Sequence, residues 1–498
     1  MSHILNELDK IDVLVIGAGN AGLTAAISAR EYAKNVFVVE KSKKSLRGGN
    51  SSLTMNFRFA HNSIDELLEL VDNNEANQQN LSRLQKHYKS YMASKFYEDL
   101  IQISNHRAET NLCKTLSEQS LETIQWMTKK GHKWEIKPHI LSGSLPIRIQ
   151  GGGASLQDRN FEIAENMGIH ILYETELLTL NLNNNKIDSL DLLYKKKSVR
   201  TISPKAIILA CGSYEANPSL RKKYLGNEWE DVQLRGVPFN TGDGIVAAEN
   251  IGILKNGDYA ACHATPQADD LDDFIYPGLN KESQSNSRYA FNYGISVNIN
   301  GKRFFDEGEN LPNYLYAKVG ESIIKQPESI AFQLFDSKTA RFLPDSYFNS
   351  GRHIKCNDWS QLADYLKINK NNLIKTIEKF NASIKPKQIN LSRLDGVFTD
   401  NLDITKSNWA VRLDTPPFYG FRVRPGVTFT YGGLKINNNA NLIHKNNYPV
   451  PNLFACGEIV GGIFFENYIG GSGLMSGSVF GRIAGRNAAK WAKSSITN

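Results

Sequence analysis

The chain has 498 residues, more than one small domain holds, so two or three domains are expected. Its 58 Lys and Arg against 51 Asp and Glu leave a net charge of +7, a mild excess that suits an anionic small molecule and falls short of a nucleic-acid footprint. A hydrophobic fraction of 41% with 22% charged residues excludes disorder and collagen.

Five cysteines (Cys113, Cys211, Cys262, Cys356, Cys456) include no C-x-x-C pair. A disulfide framework, a c-type haem and a thiolate metal site of ordinary spacing are therefore not expected, and no metal ligand set is assigned. The first ten residues carry Glu7 and Asp9 and no basic stretch, unlike a signal peptide. The uncharged run from Val13 to Ala29 is broken by Gly17, Gly19, Asn20 and Gly22 and is too short to span a bilayer. A cytoplasmic protein without direct membrane insertion is expected.

In chain order, Asp12 to Ile16 is a short β-branched run of the kind buried on both faces of a sheet. Gly17-Ala18-Gly19-Asn20-Ala21-Gly22 follows, then a helix over Leu23 to Tyr32, then a strand over Val36 to Val39 ending in Glu40. Gly17 permits a tight turn, Gly19 lets the backbone approach a pyrophosphate, and Gly22 lets helix and strand pack closely. The helix N-terminus offers free N–H groups and partial positive charge to phosphates, and Glu40 can accept both ribose hydroxyls of an adenosine. This is a nucleotide site, and by itself it does not separate NAD from FAD.

Segments further along favour a flavin. Lys41 follows the ribose acid, and Arg47-Gly48-Gly49-Asn50-Ser51 places two glycines where a backbone passes a bulky ligand. A long helical stretch is read between Ser63 and Lys130. Ala206 to Gly212 is another buried strand ending in glycine, and Thr241-Gly242-Asp243-Gly244 precedes a helix. Lys195-Lys196-Lys197 reads as a solvated hairpin turn. Asp358 to Ser383 reads as two amphipathic helices. Asn452 to Ala455 forms a strand running into Cys456-Gly457-Glu458. The glycine-rich run from Gly470 through Ser472, Gly473 and Leu474 then opens a helix over Ser478 to Trp491, a second N-terminus suited to partial negative charge on a reduced flavin.

These segments resemble the flavoprotein superfamily of fumarate reductase, succinate dehydrogenase and ketosteroid dehydrogenase, down to Thr428-Phe429-Thr430-Tyr431-Gly432-Gly433-Leu434. Within it, the stretches 47–61, 262–265, 301–327 and 467–485 most resemble FAD-dependent tricarballylate dehydrogenases. The resemblance implies an α/β fold: a Rossmann-like, discontinuous FAD domain (1–254 and 409–498) with an inserted α+β capping domain (255–408). It implies FAD as cofactor. The FAD is taken as non-covalent, because Gly49-Asn50-Ser51 stands where covalent members carry a histidine, and His61 nearby reads as a supporting residue.

The implied reaction is desaturation of a small polycarboxylic acid, tricarballylate to cis-aconitate or similar. A hydride passes to flavin N5 while a base takes the proton from the adjacent carbon. Three carboxylates need about three cationic or multiply donating partners. The candidates are Arg58, His263 in Cys262-His263-Ala264-Thr265, Arg288, Arg303, and Arg422 or Arg424, with Thr430 and Tyr468 as further substrate contacts. Proton transfer falls to Arg303, Tyr316, Tyr468 or His263, with Tyr314 a further phenol and Lys318 or Arg303 the cation that would activate one. Leu311 and Pro312 occupy the window of the fumarate reductases' proton-donating arginine, Tyr468 that of their clamping arginine, and Phe429 that of a histidine. The resemblance to fumarate reductase is weakened to that extent, and the identity of the base stays open. Electrons are expected to pass to a separate redox protein, quinone or oxygen. A ketosteroid-type or other FAD-dependent desaturase or enoyl reductase, and a non-catalytic FAD-binding sensor, are the alternatives.

Overall fold

In the computed structural model, residues 10–137, 145–269, 286–349, 353–385, 387–391 and 393–494 are described. The first nine residues, read above as unlike a signal peptide, lie outside them. Strands Val13–Ile16, Val36–Val39 and Ala206–Leu209 are buried at every position, so they need hydrogen-bond partners on both edges and apolar cover on both faces. They find both in a six-stranded sheet ordered Asn441–Ile443, Pro449–Ala455, Ala206–Leu209, Val13–Ile16, Val36–Val39, His170–Leu172. All neighbours run parallel except the edge strand Asn441–Ile443.

The first helix, Asn20–Arg30, and the C-terminal helix, Ser472–Ser494, pack against each other beside this sheet. Both start earlier than their apolar stripes suggest. The glycine motif itself supplies the first turn of one, with Gly19 as its extended N-cap. The glycines of the other lie inside the helix, where Gly473 meets Tyr468 and Gly477 meets Ala21. The stretch read as one long helical region is four helices: Ile64–Leu68, Glu75–His87, Ala93–Ile103 and Thr110–Lys129. Ser63 and Asn74 each accept a hydrogen bond from a first-turn N–H, starting separate helices. Lys195 and Lys196 take positive φ in the turn between Lys186–Tyr194 and Ser198–Ile202, so that run is a hairpin turn.

A second sheet is organised by the long strand Phe418–Leu434. It pairs antiparallel with Lys255–Ala268, Ala331–Phe335 and His353–Cys356, and parallel with Gln233–Leu234. Helices Trp359–Leu366 and Lys370–Ala382 cover it, burying Leu362, Leu373, Ile377 and Phe380 in a cap core that reaches Phe418. At the other end of the long strand, the Leu434 carbonyl accepts from the Gly461 N–H, beside the glycine run of the nucleotide half. The two halves of the molecule thus meet along Lys255–Ala268 and Phe418–Leu434. Among the described residues, no helix is long and apolar enough to cross a membrane.

Candidate active site

The first βα turn forms one wall of a narrow cleft lined by Gly17, Gly19, Glu40, Gly49, Gly212 and Asp243. Gly17 has φ 104°, and a Cβ on Gly22 would sit 2.0 Å from the Gly17 carbonyl oxygen, so strand end and helix start touch as the motif requires. Glu40 accepts from the Ala18 N–H at 2.9 Å and the Ser42 N–H at 2.8 Å, which fixes its carboxylate at the cleft floor. Lys41 is tied to Asp243 and Thr241, both at 2.6 Å. Gly48 packs beside Gln157, next to the cleft residue Gly49, and Ser472 donates to the Ile469 carbonyl at the turn into the C-terminal helix.

Asn20, Ala21, Asn50, Ser51 and Glu458 also line a second, larger cavity of about 570 Å³. The two spaces share one wall, so a single elongated ligand fits with its phosphates at the first helix. Its other end would then lie between Ala21, Gly457, Gly473 and Leu474 at the start of the C-terminal helix. A dinucleotide with a ring system at its far end, such as FAD, matches this cradle.

Beyond that cradle the cavity is walled by side chains from both halves. Arg235 and His263 lie on either side of Phe418–Leu434: Arg235 just past its parallel neighbour, His263 paired with Phe429 on its antiparallel one. Arg235 Nη1 donates to Thr428 Oγ1 at 3.1 Å and Nε to Ser287 Oγ at 3.3 Å. His263 is buried, with the rings of Tyr316 and Tyr468 each 5.1 Å away and edge-on. Burial and the Arg235 charge push its pKa down to about 3, so its imidazole is neutral. Burial holds Tyr316 and Tyr468 above the usual phenol range. The Tyr468 oxygen accepts from the Gly473 N–H at 3.0 Å, which fixes the phenol at the cavity wall.

Two carboxyl groups meet under this wall. Glu215 is fully buried and accepts from Asn50 Nδ2 at 2.8 Å and Asn240 Nδ2 at 2.5 Å. Its neighbour Glu458 accepts from the Thr430 N–H at 3.0 Å. Burial pushes Glu215 up to about 7 and, together with the Glu215 charge, Glu458 well above the carboxylate range, so the pair retains a proton at neutral pH. Thr430 serves this pair: its hydroxyl donates to Ser213 Oγ at 2.6 Å, inside the protein.

The arginines expected to clamp substrate lie elsewhere. Arg58 is fully buried, gives Nε to the Gly470 carbonyl at 2.9 Å and Nη1 to Tyr91 at 3.2 Å, and so shapes the turn into the C-terminal helix. Arg303 is held by Glu307 (2.5 Å) and the Ile404 carbonyl (2.6 Å) within the cap. Arg288 is buried under the Tyr347 ring, 4.8 Å from its centre. Arg422 and Arg424 both pair with Asp269, and Lys318 pairs with Glu309. Tyr314 donates to Asp99, and His61 is buried against Tyr88. Of the sequence candidates for substrate chemistry, the structure brings His263, Tyr316 and Tyr468 together. Arg235 and Glu215 were missed. Their only signals were an arginine before Gly236, ahead of Thr241-Gly242-Asp243-Gly244, and an acid three residues past Gly212.

A family model described as "FAD binding domain" matches residues 12–474, and the chain belongs to that family, with FAD as its cofactor. It is 24% identical over 495 residues to the NADH:fumarate oxidoreductase of Klebsiella pneumoniae, covering 97% of this chain and 48% of that protein. It is 26% identical over 494 residues to a probable fumarate reductase of Shewanella frigidimarina, covering 96% of this chain and 75% of that one. The chain therefore spans about half the length of the first relative and three quarters of the second. The open conformation of a flavocytochrome c3 fumarate reductase superimposes with a TM-score of 0.73 at 25% identity, over 96% of this chain and 78% of that one.

Proposed function

We propose that the protein is an FAD-dependent oxidoreductase that adds or removes hydrogen across a carbon–carbon bond next to a carboxylate in a small acid. The observation carrying this reading is the cavity itself: an arginine, a neutral histidine and two phenols face the cradle at the start of the C-terminal helix. When bound there, FAD supplies or takes the hydride. Arg235 binds the carboxylate; the two hydroxyls that hold its guanidinium fix the direction of the grip. His263 donates or accepts one neutral hydrogen bond. Tyr468, anchored at its oxygen by the Gly473 N–H, holds the proton exchanged with the neighbouring carbon, and Tyr316 stands beside it, its ring centre 6.5 Å away, with both rings against His263. The cap rings exclude water from the reacting atoms.

The polycarboxylate reading, tricarballylate above all, asks for more cations than Arg235 alone supplies, since His263 is neutral, Arg58 and Arg303 are bonded outside the cavity, and Arg288 lies behind the Tyr347 ring. The proposal therefore stands at the level of a small carboxylic acid. FAD is taken as non-covalent, with Asn50 committed to Glu215 and the Thr428 carbonyl. Electrons are exchanged with a separate redox protein, quinone or oxygen. The test is anaerobic: photoreduce the bound flavin, add unsaturated acids one at a time, and follow return of the oxidised spectrum, with the saturated acids as the reverse experiment. A flavin that dithionite reduces and that no acid of either kind reduces or reoxidises refutes the reading in favour of a binding protein. Flavin retained with the polypeptide after acid precipitation refutes non-covalent attachment.

A further inference from the structure

Resting on that reading, we propose that the substrate carries one carboxylate and a flat conjugated or aromatic body, an aryl-enoic acid or its saturated form. Its carboxylate would sit on Arg235, and its ring among Tyr289, Tyr316, Tyr468 and Phe429. Among the described residues lining the cavity, Arg235 is the only lysine or arginine. Its two bonded nitrogens go to neutral hydroxyls and its Nη2 makes no hydrogen bond to a described residue, so it keeps a full charge and one open edge. His263 adds no charge, because burial and Arg235 keep it neutral. The one acid in the lining, Glu458, holds its proton. A wall with one uncompensated positive charge suits one carboxylate, and a second or third would be stripped of water without a cation.

The rest of the wall is aromatic and continuous. Tyr289 and Tyr316 have ring centres 5.2 Å apart, Tyr316 and His263 5.1 Å, His263 and Tyr468 5.1 Å, and Tyr468 and Phe429 5.7 Å. All four contacts are edge-to-face, so ring faces and edges both border the space, which is the arrangement a further flat ring can join. Arg235 lies 6.0 Å from the Tyr289 ring centre, where the anion site and the aromatic wall adjoin. That places carboxylate and ring a short conjugated link apart.

The oxidised, FAD-loaded protein is titrated with cinnamate, fumarate and cis-aconitate, reading binding from the shift of the flavin absorption band; each acid is then offered to the photoreduced protein. Cinnamate is expected to bind at least about tenfold more tightly than either polycarboxylate and to reoxidise the flavin. Arg235→Met should weaken cinnamate about 100-fold and leave the neutral cinnamamide within about twofold, with Arg235→Lys as a control for FAD content. Tighter binding of fumarate or cis-aconitate, or undiminished cinnamate binding by Arg235→Met, overturns the substrate class and leaves the acid oxidoreductase standing. If Arg235→Met does not fold, the wild-type ranking of the three acids decides. A photoreduced flavin reoxidised by none of a wider set of unsaturated acids refutes the oxidoreductase reading itself.

Discussion

Replacing Glu215 by Gln tests the buried carboxyl pair in a way that does not depend on the substrate. Glutamine keeps an oxygen to accept from Asn50 and Asn240 and presents an NH₂ to Glu458, so the hydrogen bonds survive while one ionisable group is lost. In the wild type Glu215 is raised from 4.5 to about 7. A carboxyl whose folded pKa is raised stabilises the fold fully at low pH, and that contribution is lost as pH rises from the unfolded value through about 7. Each pH unit of that interval corresponds to about 1.4 kcal/mol, so the wild type gives up roughly 3 kcal/mol through this group between acid and mildly alkaline pH. Glu215→Gln should remove that loss. Urea midpoints of the FAD-loaded protein, taken at about pH 5, 7 and 8.5, should match the wild type at the acid end and exceed it at the alkaline end. A variant whose stability falls with pH as steeply as the wild type would refute the shared proton.

The other predictions concern single residues. Arg303→Met should destabilise the protein by about 3–5 kcal/mol by leaving the buried Glu307 unpaired, and adding Glu307→Gln should recover much of it; lost turnover at unchanged stability would instead make Arg303 a catalytic residue. His263, depressed to about 3, stabilises the fold above pH 6.5 and loses that contribution as pH falls below it. His263→Gln should therefore flatten the acid limb, by about 2 kcal/mol at pH 5 in denaturant titrations. In Gly473→Ala the new methyl would lie 3.1 Å from the Tyr468 hydroxyl; FAD content should hold while single-turnover flavin reduction slows about tenfold, and an unchanged rate would remove Tyr468 from proton transfer. With both phenols raised, desaturation should quicken about tenfold per pH unit from 7 to 9 while reduction of the alkene stays flat, as stopped-flow half-reactions can show.

The nucleotide half was legible because its physics is local. Turn, helix start and ribose acid lie within the stretch from Val13 to Glu40, and Gly17 and Gly22 there are required by backbone contacts under 3 Å that no side chain permits. The two cap helices were legible from their apolar spacing, and the division of the stretch after Ser63 was visible only in its caps, Ser63 and Asn74. The substrate wall was not legible in the same way. Arg58 reads as a clamp until Gly470, 412 residues away, takes its Nε. Arg303 carried a warning four residues on, in Glu307, and the ion pair formed. Arg235 carried no local signal, because its importance comes from which arginines are neutralised elsewhere.

That last point bears on how the cap does its work. Covering the cavity with rings raises the cost of charge for every group inside it, and the response is uniform: the histidine is held neutral, the phenols keep their protons and the carboxyl pair retains one. The proton needed at carbon is therefore kept in an O–H bond beside the reacting space, and the free charge on Arg235 is reserved for the substrate's carboxylate. Burial is the larger cause of the low His263 pKa and Arg235 the lesser, so an anion on Arg235 offsets only the lesser and the imidazole stays neutral with the acid in place. A neutral, dry wall with one positive point selects by the number of carboxylates before it selects by shape.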